Sequence, residues 1–124
     1  MKPNKGFWRD KRVIITGHTG FKGSWLSLWL NSLGAQITGY ALDPLTDPNL
    51  FNAFEIEKSI IDLRHDIRDL SVLKSVIRST EPEIIIHMAA QSLVRKSYRD
   101  PVGTYETNVM GTVNLLEAVR SCES

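Results

Sequence analysis

Val13-Ile14-Ile15-Thr16-Gly17-His18-Thr19-Gly20-Phe21-Lys22-Gly23 is a β-branched run that stops at a glycine, with two further glycines at intervals of three. An apolar, helix-like segment, 21–33, begins inside the last interval. Strand, glycine turn and helix in that order are what a diphosphate needs. The tight turn wants a residue without Cβ, and close backbone approach wants another. The opening helix then offers unpaired N–H groups and the positive end of its dipole. A plain strand-to-helix turn would also use glycines, but the flanking elements favour a dinucleotide turn. Its spacing is GxxGxxG, one residue longer between the first two glycines than the usual fingerprint. Gly17, Gly20 and Gly23 make the turn, and His18, Thr19, Phe21 and Lys22 are expected to line it.

Outward from this turn, the chain alternates strand-like and helix-like segments. Strands are expected at 12–16, 36–41, 59–63 and 83–87, all apolar and without polar alternation, as in a sheet buried on both faces. Helices are expected at about 20–33, ending at Gly34, and at about 71–80, where Leu70, Leu73, Val76 and Ile77 share a face. A last helix begins near Pro101 or Tyr105 and reaches about residue 121, with a stripe of Tyr105, Val109, Thr112 or Val113, Leu116 and Val119. Between residues 42 and 57, Asp-Pro pairs mark turns around a short helix near Leu50 and Phe51. Right-handed crossovers then give the N-terminal portion of a Rossmann-type α/β fold. Its parallel, doubly wound sheet has the order 3-2-1-4, with the ligand crevice at the carboxyl ends of strands 1 and 4.

The composition sets limits. The chain has 124 residues, 42% hydrophobic and 23% charged, which suits one globular domain. A net charge of +1 gives no electrostatic case for nucleic acid or an anionic membrane. No apolar run approaches the roughly 20 residues of a bilayer span. The basic start at residues 1–6 leads into no long apolar core, so no signal peptide is expected. A single cysteine, Cys122, fits a cytoplasmic location.

Several residues at the expected crevice could carry chemistry. Asp43 lies 20 residues beyond Gly23, where an acid accepts hydrogen bonds from the adenosine ribose and repels a 2′-phosphate. An Asp-Pro turn is the equal alternative, and the ribose contact could fall one or two residues earlier. Asp66 and Ile67 follow the third strand, where a carboxylate can meet the adenine amino group and an isoleucine can pack on the ring. A solvated charged loop of Asp62, Arg64, Arg68 and Asp69 is the competing reading. At the fourth strand end, Met88, Ala89 and Ala90 leave room for a flat ligand beside the backbone, and His87 is read as structural. Arg95, Lys96, Ser97, Tyr98 and Arg99 are read as a basic, hydroxyl-bearing loop on the ligand face, suited to an acidic substrate, with Lys96 and Arg99 read as solvated side chains of that loop. Asn108 is read as bonding a strand end or the cofactor. No metal site is expected, since His87 has no partner at ligand spacing.

Residues 16–23, Asp66-Ile67, residues 87–91 and Thr107-Asn108-Val109-Met110-Gly111-Thr112 resemble the extended short-chain dehydrogenase/reductase superfamily, which includes the nucleotide-sugar epimerases and dehydratases. The likeness runs from about residue 8 to residue 122. The words at 17–26, 88–95 with Ser97-Tyr98, and 104–112 are closest to its 4,6-dehydratases, which are lyases. The resemblance implies NAD as cofactor and a nucleotide sugar as substrate. A tyrosinate would take the proton of the sugar 4-hydroxyl while hydride passes to NAD. Water would then leave across C5 and C6, and the hydride would return to C6, giving a 4-keto-6-deoxy sugar for surface polysaccharide. It also implies that Gly17, Gly20, Phe21 and Lys22 line the diphosphate, that Asp66 and Ile67 line the adenine, and that Ala89, Ala90, Ser92 and Thr107 line the middle of the cofactor. Arg95 and Tyr98 would face the substrate.

One departure is large. The superfamily's catalytic pair is a tyrosine followed four residues later by a lysine. The tyrosines here are Tyr40, Tyr98 and Tyr105, and Pro44, Val102 and Val109 stand four residues on. The expectation is therefore a partial NAD-binding domain, 1–124, without turnover of its own and with the later strands and the substrate domain missing. A bare sheet edge and an exposed helix stripe would favour a homodimer. A non-catalytic dinucleotide-binding module and a piece of a sister epimerase or dehydratase are the alternative readings.

Overall fold

The computed structural model describes residues 4–122; the first three residues of the basic N-terminal stretch lie outside them. Strands β1 (Arg12–Thr16), β2 (Gln36–Ala41), β3 (Ile61–Arg64) and β4 (Ile84–His87) form one sheet in the order β3-β2-β1-β4. All three pairings are parallel. The expected 3-2-1-4 sheet is the observed one, with β3 starting two residues late and ending one residue late.

Helix α2 (Phe21–Ser32) crosses from β1 to β2 and ends where Gly34 takes φ +90°. Helix α4 (Leu70–Thr80) connects β3 to β4. It is capped by Asp69, whose side chain accepts from the Val72 N–H. Glu81 closes it in the left-handed region at φ 46°. Short helices α1 (Lys5–Trp8) and α3 (Leu50–Ala53) and a 3-10 turn, Ile56–Lys58, fill the connections.

Period-two alternation along the strands divides the core between the two faces of the sheet. Val13, Ile15 and Ile37 pack with Leu30, Leu33 and Ala35 on the α2 side. Ile14 and Tyr40 pack with Ile67, Leu73, Val76 and Ile77 on the other.

Two expectations are corrected after β4. Residues 94–99 are not a loop but helix α5 (Val94–Arg99). The last helix is divided into α6 (Pro101–Tyr105), a π-helical turn at Glu106–Met110, and α7 (Gly111–Ser121). Pro101 sits at the first helical position, where its missing N–H costs nothing, and Asp100 caps the turn by accepting from the Gly103 N–H. The expected stripe on α7 faces outward: Val113 is 48% exposed and Leu116 65%. Its buried face is Gly111, Leu115 and Ala118, one position out of register with that stripe. Gly111 is needed there because a Cβ would lie 2.7 Å from Ile67 Cγ2.

Candidate functional site

The glycine turn sits at the carboxyl end of β1, between β2 and β4. Gly17 has φ +81°, and a Cβ there would lie 2.7 Å from the Met88 carbonyl carbon. A Cβ on Gly23 would lie 2.0 Å from the Gly17 carbonyl oxygen, so its absence lets α2 press onto the turn. Gly20 differs: its Cβ would meet only the Gly17 oxygen, at 3.4 Å, and otherwise enter open space. Gly20 also offers α2 no capping side chain, which leaves first-turn N–H groups facing that space. Two glycines serve packing and the third keeps a cradle open. That is the shape a diphosphate requires, and the site fits one.

The side chains around the turn are divided between the cradle and its support. Phe21 and Lys22 are exposed on the first turn of α2. Lys22 borders an apolar groove of about 610 Å³ with Trp25, Trp29 and Met88. Thr19 is buried, and its hydroxyl donates to Leu42 O at 2.8 Å, tying the turn to the end of β2.

His18 does not line the loop surface, as the sequence suggests; it folds under it. Its ring is fully buried beneath the turn, edge-on to Phe51 at 5.4 Å. Nε2 lies 2.6 Å from Asp62 Oδ1 and donates to it. Among the described residues, His18 Nδ1 is the one fully buried side-chain nitrogen or oxygen without a hydrogen-bond partner. Burial holds the imidazole pKa below its ordinary value, although Asp62 pulls it back.

Asp62 and Arg64 do not belong to a solvated loop, a reading that the structure corrects. Both lie in β3, on the α2 side of the sheet. Arg64 Nε donates to Asp62 Oδ1 at 2.9 Å, and Arg64 Nη1 donates to Asp43. Burial pushes the Asp62 pKa up, but hydrogen bonds from Arg64 and His18 outweigh it, and the net direction is down. Asp43 stands just past β2 with its side chain 83% exposed. The signal for this cluster was Gly39, a glycine inside a strand, which marks a place where something approaches the backbone closely.

On the other side of the turn, a polar chain joins β1, β4 and α7. Thr16 Oγ1 accepts from the N–H groups of Met88, at 3.0 Å, and Ala89, at 3.1 Å. Its own proton must then go to His87 Nδ1, 2.6 Å away. His87 Nε2–H donates to Thr112 Oγ1 at 3.1 Å, and Thr112 donates to Asn108 O at 2.7 Å. The network assigns a neutral His87, and burial lowers its pKa in the same sense. Asn108 clamps the loop beyond β4: its Oδ1 accepts from Gln91 N at 2.7 Å and its Nδ2 donates to Gln91 O at 2.9 Å.

The remaining expected residues divide by exposure. Met88 and Ala89 are half-buried beside Gly17, and Ala90 and Ser92 are exposed beyond them. Thr107 is half-buried in the π-helical turn. Arg95 and Tyr98 are exposed on α5, Tyr98 at 85%. Ile67 is buried, with Asp66 half-buried before it. The Asp66 carboxylate is held by Arg68, whose Nη2 donates to Oδ2 at 2.8 Å. That bond keeps the Asp66 pKa low. Arg68 also reaches Glu106 at 3.2 Å, beside an open pocket of about 720 Å³ lined by Asp66, Leu70, Met110 and Asn114. Among the described residues no three His, Cys, Asp or Glu side chains are grouped as a metal site, and no helix is long and apolar enough to cross a membrane.

Comparison with known proteins adds relatives to this geometry. Residues 14–124 match the family model described as GDP-mannose 4,6 dehydratase. The chain is 56% identical over 117 residues to the CDP-glucose 4,6-dehydratase of Salmonella typhimurium, covering 94% of this chain and 33% of that protein. It is 32% identical over 112 residues to the UDP-glucose 4-epimerase of Rhizobium meliloti, covering 89% and 32% respectively. It superposes on the UDP-glucose 4-epimerase of Thermus thermophilus, solved as a complex with NAD, with a TM-score of 0.77 at 34% identity. That match covers 90% of this chain and 34% of the other. The chain thus spans about a third of the length of the proteins it matches.

Proposed function

The chain belongs to the GDP-mannose 4,6 dehydratase family, and from that premise we propose that residues 1–124 form the NAD-binding portion of a nucleotide-sugar 4,6-dehydratase acting on CDP-glucose. The observation that carries the cofactor reading is the division of labour among the three glycines. Gly17 and Gly23 have no room for a Cβ, whereas Gly20 keeps open the space in front of an uncapped helix. The Thermus thermophilus relative, solved with NAD, supports the choice of cofactor. The Salmonella typhimurium relative supports CDP-glucose, as does the wording at 17–26, 88–95 and 104–112.

The residues divide the work by position. Gly17, Thr19, Gly20, Phe21, Lys22 and Gly23 hold the diphosphate, and Asp43 takes the adenosine ribose. Asp66 and Ile67 border the adenine, and Met88, Ala89, Ala90, Ser92 and Thr107 border the middle of the cofactor. Arg95 and Tyr98 face the substrate phosphates. NAD, when bound, supplies the hydride acceptor for oxidation of a sugar hydroxyl. The Thr16–His87–Thr112 chain holds the β4 end against the turn, so the cradle is formed before the ligand arrives. Residues 1–124 contain no Tyr-x-x-x-Lys pair, so they bind the cofactor without turning over a sugar by themselves. The location is cytoplasmic, and association into a homodimer uses the outward face of α7.

Isothermal titration of this chain with NAD tests the cofactor reading, and saturable binding below millimolar concentration is expected. No heat of binding at millimolar NAD overturns it. Conversion assays on the whole protein with CDP-glucose, GDP-mannose, dTDP-glucose and UDP-glucose test the substrate. CDP-glucose is expected to react fastest, and preference for another nucleotide overturns that assignment.

A further inference from the structure

The ends of β2 and β3 carry a charged chain that the glycine turn does not explain. Asp62 Oδ1 accepts from both His18 Nε2, at 2.6 Å, and Arg64 Nε, at 2.9 Å. The Arg64 guanidinium carbon lies 4.9 Å from the ring centroid of Phe51, which is fully buried. A cation stacked on a ring and held through Nε by one carboxylate oxygen loses little freedom by binding one more anion. Arg64 is therefore the fixed member of its pair with Asp43; its side chain is 32% exposed and that of Asp43 83%. Among the described residues no other side chain binds the Asp43 carboxylate.

The pair is also placed next to the phosphate cradle. The Thr19 hydroxyl, inside the glycine turn, donates to Leu42 O at 2.8 Å, one residue before Asp43. On the dinucleotide reading, on which this inference rests, the ribose of the adenosine half lies one phosphate group from that turn. An acid at this place accepts the two ribose hydroxyls, and an arginine there accommodates a 2′-phosphate. Here both are present, and each occupies the other.

We propose that Arg64 is a specificity residue for the adenosine ribose: a pre-set 2′-phosphate site that Asp43 keeps closed. In the native protein the carboxylate neutralises the guanidinium and leaves its second oxygen for the hydroxyls of NAD. A 2′-phosphate must displace Asp43 from Arg64 before it can bind. Removing the carboxylate leaves an anchored cation, held by Asp62 and Phe51, with nothing in front of it.

Titration calorimetry with NAD, NADP and adenosine 2′,5′-bisphosphate on four forms of the chain tests this. The native chain is expected to bind NAD more tightly than NADP. Asp43→Asn, at an exposed position that the fold tolerates, is expected to tighten NADP at least tenfold relative to NAD, and to tighten the bisphosphate alike. The double variant Asp43→Asn/Arg64→Gln is expected to lose that gain, and Asp43→Asn/Arg64→Lys to keep part of it, because the charge remains without the fork. An Asp43→Asn chain that binds NAD but gains nothing for NADP overturns the proposal, and so does an equal gain with Arg64→Gln. Loss of NAD binding by the native chain overturns the cofactor reading as well. Because Asp43→Asn alone can refute the idea, a poorly folded Arg64→Gln chain does not shelter it.

Discussion

The imidazole of His18 occupies the space that a side chain on Gly39 would fill: a Cβ built on Gly39 lies 2.2 Å from His18 Cγ. Gly39 pairs directly with Asp62 across the parallel ladder. The ring can therefore lie over β2 and hand its Nε2–H to the next strand. One missing methyl group thus joins the glycine turn of β1 to the charges at the end of β3.

Gly39→Ala should be costly for this reason. The clash falls on a buried ring with no room to retreat, and overpacking of this kind costs about 1–3 kcal/mol, at times more. Urea unfolding is expected to show a lower midpoint at unchanged slope. A midpoint equal to the native one would mean that the ring is not packed against Gly39.

The glycines of the turn should separate stability from binding. Gly20→Ala is expected to change stability by no more than about 1 kcal/mol, since its backbone lies in an ordinary extended region. The same change should weaken NAD at least tenfold. Gly23→Ala should instead destabilise by about 2 kcal/mol or more, because its Cβ meets a backbone oxygen. Urea unfolding and NAD titration on each variant check the contrast, and equal effects on both properties in both variants would refute it.

The pH dependence follows from the two buried histidines. Burial holds the pKa of both His18 and His87 below 6.5. The unfolded chain then binds more protons than the folded one as pH falls past 6.5, so stability is full above that pH and is lost below it. At His87 the loss has a structural form: a proton on Nδ1 confronts the Thr16 hydroxyl, which already accepts from Met88 and Ala89 and has only its proton to give. Unfolding free energies measured from pH 8 to pH 5 are expected to fall most steeply below 6.5, and less steeply in His87→Gln. The depressed carboxylates, Asp62 and Asp66, act in the same direction but near pH 4, outside this window.

The outward face of α7 should mediate self-association. Val113 and Leu116 on that face, and Val109 in the π-helical turn before it, are exposed large apolar residues, and exposed apolar surface of this kind marks contact surfaces. Sedimentation velocity is expected to show a concentration-dependent dimer, and Leu116→Lys should return it to monomer without changing the unfolding midpoint. A monomer at every concentration would refute the assignment.

The sheet was legible in the order of residues. A β-branched run, a glycine turn and an apolar helix, followed by further strand and helix segments in alternation, allow one handed topology, and β3-β2-β1-β4 is observed; β3, Ile61-Asp62-Leu63-Arg64, departs from the expected apolar runs by alternating apolar and charged residues. Gly17, Gly20 and Gly23 were legible too, because a glycine's backbone freedom is local and visible in one dimension. Which glycine leaves space and which two are packed shut emerged only on folding, since that depends on Met88 and on the glycines' own approach through space. Folding also turned His18 inward, brought Arg64 to Asp43 from a strand 21 residues away, and buried Leu115 and Ala118 of α7 rather than the stripe beside them. A helix with apolar residues on two faces does not say which one a neighbour will cover. A charged residue likewise does not say whether its partner is water or another strand. Both are settled only when the chain has folded and the competing surfaces meet.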